Sequence, residues 1–114
     1  MKIFLFLVSS ILLFSVSSFA EIRNYGHGSE TCRSYVRVRE LAQDGDRPYR
    51  IEELAYHSWF KGFATKFSID SNSDVLKKKD DNALFLWLEN YCKANPLKPF
   101  LSASLALLIA IGKE

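Results

Sequence analysis

An uncharged apolar run near the N-terminus decides how much of this chain can fold. After Met1 and Lys2, residues 3–19 are only Phe, Leu, Ile, Val and Ser, and small residues stand at Ser18 and Ala20. A short positive start, an apolar stretch and small residues before the cut are typical of a secretory signal peptide. We therefore predict a signal peptide over residues 1–20; the alternative is an uncleaved anchor, because the run is near the lower length limit for a membrane span.

Cleavage leaves a small, nearly neutral domain. Removing 20 of the 114 residues leaves 94, enough for one domain, and removing Lys2 leaves 14 basic side chains against 13 acidic ones, a net charge of +1. Because nucleic-acid binding needs a concentrated basic face, we expect no nucleic-acid partner. After signal cleavage we also expect no membrane association.

Export makes the two cysteines informative. An even pair in a small exported domain predicts one disulfide, here between Cys32 and Cys92. Such a bridge would close a loop of 61 residues and stabilise the fold by about 4 kcal/mol through chain entropy. The alternative, two free thiols of which one is catalytic, has no Cys-x-x-Cys motif or evident His–Cys pairing to support it.

Helical periodicity and capping residues predict an all-α domain of four helices over residues 30–114, preceded by a flexible leader over residues 21–29. We place the helices at 30–43, at 52–67, from Asp80 or Asp81 to Ala94, and at 99–111. Pro48 is expected to delay the second helix, and residues 68–73 to form a polar loop. On the third helix, Glu89 is expected to face water.

Two apolar features of these helices raise the question of a partner. The second helix carries an aromatic stripe, Tyr56, Phe60, Phe63 and Phe67, which we interpret as core, and Gly62 beside it would suit a close helix crossing. The last helix is almost entirely apolar yet too short to span a membrane, so it is either enclosed or partly open to a partner. The candidate binding surface comprises Trp59, Phe60, Phe63, Phe100, Leu101, Leu105 and Leu108.

The sequence offers little support for catalysis or for a cofactor. Asp70, Asn72 and Asp74 match the opening of a calcium loop, but Val75 stands where the turn needs Gly and Asp81 replaces the usual bidentate Glu. His27 and His57 have no useful zinc spacing, and His57 is expected at a helix surface or half-buried. We therefore predict no metal, no cofactor and no enzymatic activity; the Lys77, Lys78 and Lys79 run is interpreted as a solvated loop.

Two resemblances bear on function. The string from Trp87 through Cys92 to Leu97, Thr31-Cys32 opening a helix, and the segment 59–63 resemble the HdeA/HdeB acid-stress family of small exported bacterial proteins. That resemblance implies a periplasmic chaperone with a helix-to-helix disulfide at Cys32 and Cys92. The string 91–96 leading into an apolar helix is similar to Tai-type immunity proteins, periplasmic helical proteins that neutralise peptidoglycan-cleaving effectors of type VI secretion.

The charge balance adds a physical argument for an acid response. If the 13 acidic side chains lose their charge and both His gain one, the side-chain charge climbs from +1 towards +16. Self-repulsion of this size loosens a small fold, while a disulfide prevents full extension. We therefore expect a protein partner: an unfolded client, a specific effector, or a second copy in a homodimer.

Overall fold

Four α-helices follow a short 3-10 helix in the computed structural model, which describes residues 25–114. The 3-10 helix, Gly26–Ser29, is called the N-terminal turn below; it precedes α1 (Cys32–Gln43), α2 (Arg47–Ser71), α3 (Asp81–Ala94) and α4 (Phe100–Gly112). None of the described residues forms a strand. The predicted all-α, four-helix architecture is therefore confirmed, whereas the expected signal peptide and residues 21–24 lie outside the described residues.

Side-chain caps fix where three of the helices begin. The side-chain oxygen of Thr31 accepts a hydrogen bond from Ser34 N, that of Asp46 from Tyr49 N, and that of Asp80 from Ala83 N at 2.9 Å. Each bond satisfies a backbone N–H that has no partner within its own helix. Both α1 and α3 consequently begin close to the predicted positions.

Helix α2 is longer at both ends than the predicted 52–67. It begins at Arg47 because Pro48 lies in the first turn, where a missing N–H costs nothing and the fixed φ suits a helix. It ends only at Ser71, where Asn72 adopts a left-handed conformation with φ of 51°. The prediction that Pro48 delays the helix was therefore wrong, and so was the predicted loop over residues 68–71, whereas residues 72 and 73 do lie in a turn after the helix.

The disulfide joins α1 to α3 at the centre of the fold. Cys32 and Cys92 are bonded, with their Cα atoms 4.6 Å apart, and both are fully buried. Beside the bridge, Cys32 N donates to Lys98 O at 2.7 Å, and Phe100 N donates to Glu30 O at 2.8 Å. The starts of α1 and α4 are thus held together next to the predicted bridge, which is confirmed.

Aromatic rings fill the space where α1, α2 and α4 meet. Tyr35 of α1, Tyr56 and Phe60 of α2, and Phe100 of α4 are all buried, and Tyr35 and Phe100 have ring centroids 4.7 Å apart. Phe63 and Phe67 of the predicted stripe are half-buried and pack against this core. Burial of such rings is a main contribution to the stability of a small domain. The interpretation of the stripe as core is confirmed.

Gly62 does not mark a helix crossing. It is exposed, and a Cβ built there would have no neighbouring atom within 4 Å. The stripe that contacts the other helices lies on the opposite side of α2, so the prediction of a close crossing at Gly62 was wrong.

The end of the expected leader is part of the packed domain. Trp59 Nε1 donates to Tyr25 O at 3.2 Å, and the His27 ring lies 4.5 Å from that of Tyr56, while His27 Nε2 is 2.8 Å from Glu52 Oε1. Gly26 has φ of +68° and a Cβ there would lie 3.3 Å from Trp59 Cδ1, so only glycine suits this approach. The prediction of a flexible leader was wrong for residues 25–29.

Candidate functional site

The predicted apolar surface divides into core and exposed residues. Phe60, Phe100 and Leu108 are 0%, 0% and 1% exposed, so they cannot meet a partner in the folded state. Trp59, Phe63 and Leu101 are half-buried, and Leu105 is exposed. Periodicity identified these residues as apolar but could not say which side of α2 or α4 would turn towards α1; in the folded state Phe60, Phe100 and Leu108 belong to the core.

Helix α4 is open on one side. Leu101, Leu105 and Ile109 follow one another at intervals of four residues, so they form one stripe, which we call the apolar ridge. Leu105 and Ile109 are 40% and 46% exposed, whereas Phe100, Ala103, Ser104, Leu107 and Leu108 are buried. The sequence left open whether this helix is enclosed; the structure buries one face and exposes the ridge. No described helix is long and apolar enough to cross a membrane.

His57 lies inside the fold, which corrects the expectation of a surface or half-buried residue. It is 8% exposed, its Nε2 is 2.9 Å from the Tyr35 hydroxyl, and its ring stacks on Phe85 with centroids 3.4 Å apart. Burial, and then the positive charge of Arg39, lower the pKa of His57 to about 4. At neutral pH the imidazole is therefore uncharged.

The Tyr35 hydroxyl links His57 to α3. It shares a 2.9 Å hydrogen bond with His57 Nε2, whose direction depends on the imidazole tautomer, and it lies 3.4 Å from Phe85 O. Burial raises the pKa of Tyr35 above its ordinary value, so the hydroxyl keeps its proton. In this arrangement α1, α2 and α3 meet at one hydrogen-bonded pair.

A groove between α2 and α3 leads to this pair. Its volume is about 350 Å³, and its lining residues are Leu54, His57, Ser58, Lys61, Asp81 and Phe85. Lys61 and Asp81 form an ion pair at 2.5 Å. His57 is consequently a buried group that water and protons can approach from one side.

A second polar cluster lies one helical turn further along the same face of α1, because Arg39 follows Tyr35 by four residues. Arg39 Nη1 is 3.3 Å from Glu53 Oε2, and Arg39 Nη2 is 3.4 Å from Glu89 Oε2. Lys93 Nζ lies 3.7 Å from Glu89 Oε1. Glu89 is only 4% exposed, so the prediction that it faces water was wrong. The reason is that α3 packs on α1 here, so the carboxylate lies against the guanidinium of Arg39.

The acidic string at the end of α2 does not gather into a metal site. Asp70 Oδ1 is bonded to Lys66 Nζ at 2.5 Å. Within residues 25–114 no group of three or more His, Cys, Asp or Glu side chains is arranged to hold a metal ion.

Comparison with protein-family models, with curated proteins and with solved structures finds no match to this chain. The fold and the Cys32–Cys92 bridge define a small all-α, disulfide-tied domain.

Proposed function

We propose that this chain is a small periplasmic binding protein that acts as an acid-stress chaperone of the HdeA/HdeB type, binding unfolded clients without turnover. The single observation that supports the proposal is His57, an uncharged imidazole buried among the core aromatics and reached through the α2–α3 groove. Acid must protonate His57, and a positive charge among the core aromatics destabilises the folded state.

The sign of the pH effect follows from the pKa of His57. The folded-state pKa of about 4 is lower than the ordinary 6.5, so between these values the unfolded state binds more protons than the folded state. The stability contribution is complete above pH 6.5 and is lost as the pH falls towards 4. The loss amounts to about 2–3 kcal/mol, a large part of the marginal stability of a small domain.

Loosening would expose the surfaces that a client needs. Helix α4 already presents the apolar ridge, and the buried rings of Phe60 and Phe100 would join it as α2 and α4 separate. The Cys32–Cys92 bridge would keep α1 and α3 together and limit the expansion. Exposed apolar area of this kind binds unfolded chains by the hydrophobic effect.

A client-aggregation assay tests the proposal. Light scattering of an acid-denatured client is recorded with increasing amounts of the protein, at neutral pH and at about pH 3. We expect suppression of scattering only at low pH. Absence of suppression at every ratio would contradict the chaperone proposal.

One observation favours an alternative, a periplasmic immunity protein that inhibits a peptidoglycan-cleaving type VI secretion effector. The apolar ridge is exposed in the folded state, so it is ready for a partner without any acid step. A pull-down from periplasmic extract at neutral pH, with a Leu105→Asp/Ile109→Asp variant as the matched control, tests it. Stoichiometric capture of one hydrolase that the variant loses supports the alternative; capture unaffected by the variant contradicts it.

A further inference from the structure

A groove beside the disulfide combines positive charge with an apolar floor. Its volume is about 260 Å³, it runs between α1 and α3, and its lining residues are Arg33, Val36, Arg37, Glu40, Cys92, Lys93 and Pro96. Three of these side chains are cationic and one is anionic. The whole domain is nearly neutral, so this groove concentrates positive charge that the rest of the surface balances.

The two arginines of the groove are available to a ligand. Arg33 and Arg37 are exposed, and neither forms an ion pair with any residue in the described range 25–114. Lys93 is held by Glu89 only at 3.7 Å. A guanidinium presents a planar fork of donors that matches a carboxylate, which makes a pair of unpartnered arginines a favourable site for acidic groups.

The backbone around the groove is also held rigidly, so it needs little rearrangement when a ligand binds. The disulfide beneath it fixes α1 against α3, and Arg33 N donates to Pro96 O at 3.0 Å. The backbone positions of the arginines and of the apolar residues Val36 and Pro96 are therefore set before a ligand arrives, so that only the arginine side chains need to be ordered on binding.

From this arrangement we infer that the groove binds an extended acidic segment of a protein partner, with two acidic residues at alternate positions facing the two arginines. Arg33 and Arg37 are one helical turn apart, about 5–6 Å between their Cβ atoms. Alternate residues of an extended chain lie on the same side and about 6.5–7 Å apart. Two carboxylates then meet the two guanidinium groups. This inference is independent of the acid response, because it requires the folded, disulfide-bonded state at neutral pH.

A labelled peptide tests the inference by fluorescence anisotropy. The probe contains the sequence Glu-Ala-Glu flanked by alanines, and its comparison peptide carries Gln in place of both Glu. We expect the disulfide-bonded protein to bind the Glu peptide and an Arg33→Glu/Arg37→Glu variant to bind it about tenfold more weakly. The matched control is Arg47→Glu/Arg50→Glu, which changes two exposed arginines on α2 and should alter the affinity less than twofold.

Several outcomes would overturn the inference. Equal affinity for the Glu and Gln peptides would show that no carboxylate is recognised, and equal weakening by the two double variants would show general charge attraction only. Should the Arg33→Glu/Arg37→Glu variant lose its helical circular dichroism, the unaltered protein decides: raising NaCl from about 0.05 to 0.5 M must weaken binding, because exposed ion pairs are screened. Backbone NMR shifts on titration must lie in α1 and α3; shifts confined to α4 would contradict the site.

Discussion

At the scale of single residues, Tyr35 and His57 show how a polar pair can occupy an aromatic core. The imidazole stacks on Phe85 and bonds to the Tyr35 hydroxyl, which bonds in turn to a main-chain carbonyl, so each buried polar atom of this chain of bonds has a partner. The arrangement is stable only while His57 carries no charge.

Replacing His57 by glutamine should remove much of the acid sensitivity. Glutamine can still bond to Tyr35 but cannot be protonated, so the His57→Gln variant should lose about 2–3 kcal/mol less of its free energy of unfolding between pH 7 and about pH 4 than the unaltered protein. Urea denaturation at the two pH values measures the difference. Ser58→Ala, at an exposed residue that lines the same groove, is the control and should keep the original pH dependence; equal dependence in all three proteins would refute the role of His57.

Removing one partner of the Arg39–Glu89 pair should lower the free energy of unfolding strongly, whereas replacing both partners should lower it little. Arg39→Met leaves the buried Glu89 carboxylate without its main partner, and we expect a loss of about 3 kcal/mol in the free energy of unfolding. The double variant Arg39→Met/Glu89→Met should recover most of that loss, because it removes both charges. Chemical denaturation measures this, and a double variant as unstable as Arg39→Met would contradict it.

Neither of these residue-scale features could be predicted from the sequence. His57 meets a partner 22 positions away and Glu89 meets one 50 positions away, so their burial depends on how α1 packs between α2 and α3. Local periodicity placed Glu89 on the polar side of α3, because the pattern within one helix does not show where α1 packs against it.

At the scale of elements, N-cap residues predicted helix boundaries better than helix-breaking residues such as proline did. The predicted starts at residue 30 and at Asp80 or Asp81 lie within two residues of the observed ones, where Thr31 and Asp80 are the N-caps, because an N-cap acts through bonds to nearby backbone groups. Pro48 was misread because proline within the first turn favours a helix, whereas proline further inside breaks one. The apolar composition of α4 was evident, but which side it exposes depends on the contacts of α1 and α2.

Replacement of two different glycines by alanine should change the free energy of unfolding in opposite directions. Gly62 lies inside α2 with open space around it, so Gly62→Ala should raise the free energy of unfolding by about 0.5–1 kcal/mol. Gly45 has φ of +87°, where alanine is strained, so Gly45→Ala should lower it by about 1 kcal/mol. Thermal denaturation distinguishes them, and destabilisation by Gly62→Ala would indicate a contact that the structure does not contain.

At the scale of the whole molecule, the disulfide and the contacts around it connect the start of the domain to its last two helices. The Cys32→Ala/Cys92→Ala variant should lose about 3–4 kcal/mol of its free energy of unfolding, since the bridge closes a long loop. Urea denaturation measures the loss, and reduction of the unaltered protein is the control that should reproduce it. A loss below about 1 kcal/mol in both would mean that packing alone holds the fold.

Whether acid produces a binding surface depends on how the helices of the whole molecule separate. Under the proposed function, acid would charge His57, the helices would separate within the limit set by the bridge, and the apolar ridge would become continuous with the exposed core. This sequence of events predicts that the onset of client binding follows the protonation of one residue.

The most direct measurement is therefore the suppression of client aggregation as a function of pH, compared between the unaltered protein and His57→Gln. The account predicts that the unaltered protein becomes active as the pH falls from about 6 towards 4, and that His57→Gln becomes active only at a lower pH. Identical onset in the two proteins, or no suppression by either, would contradict it.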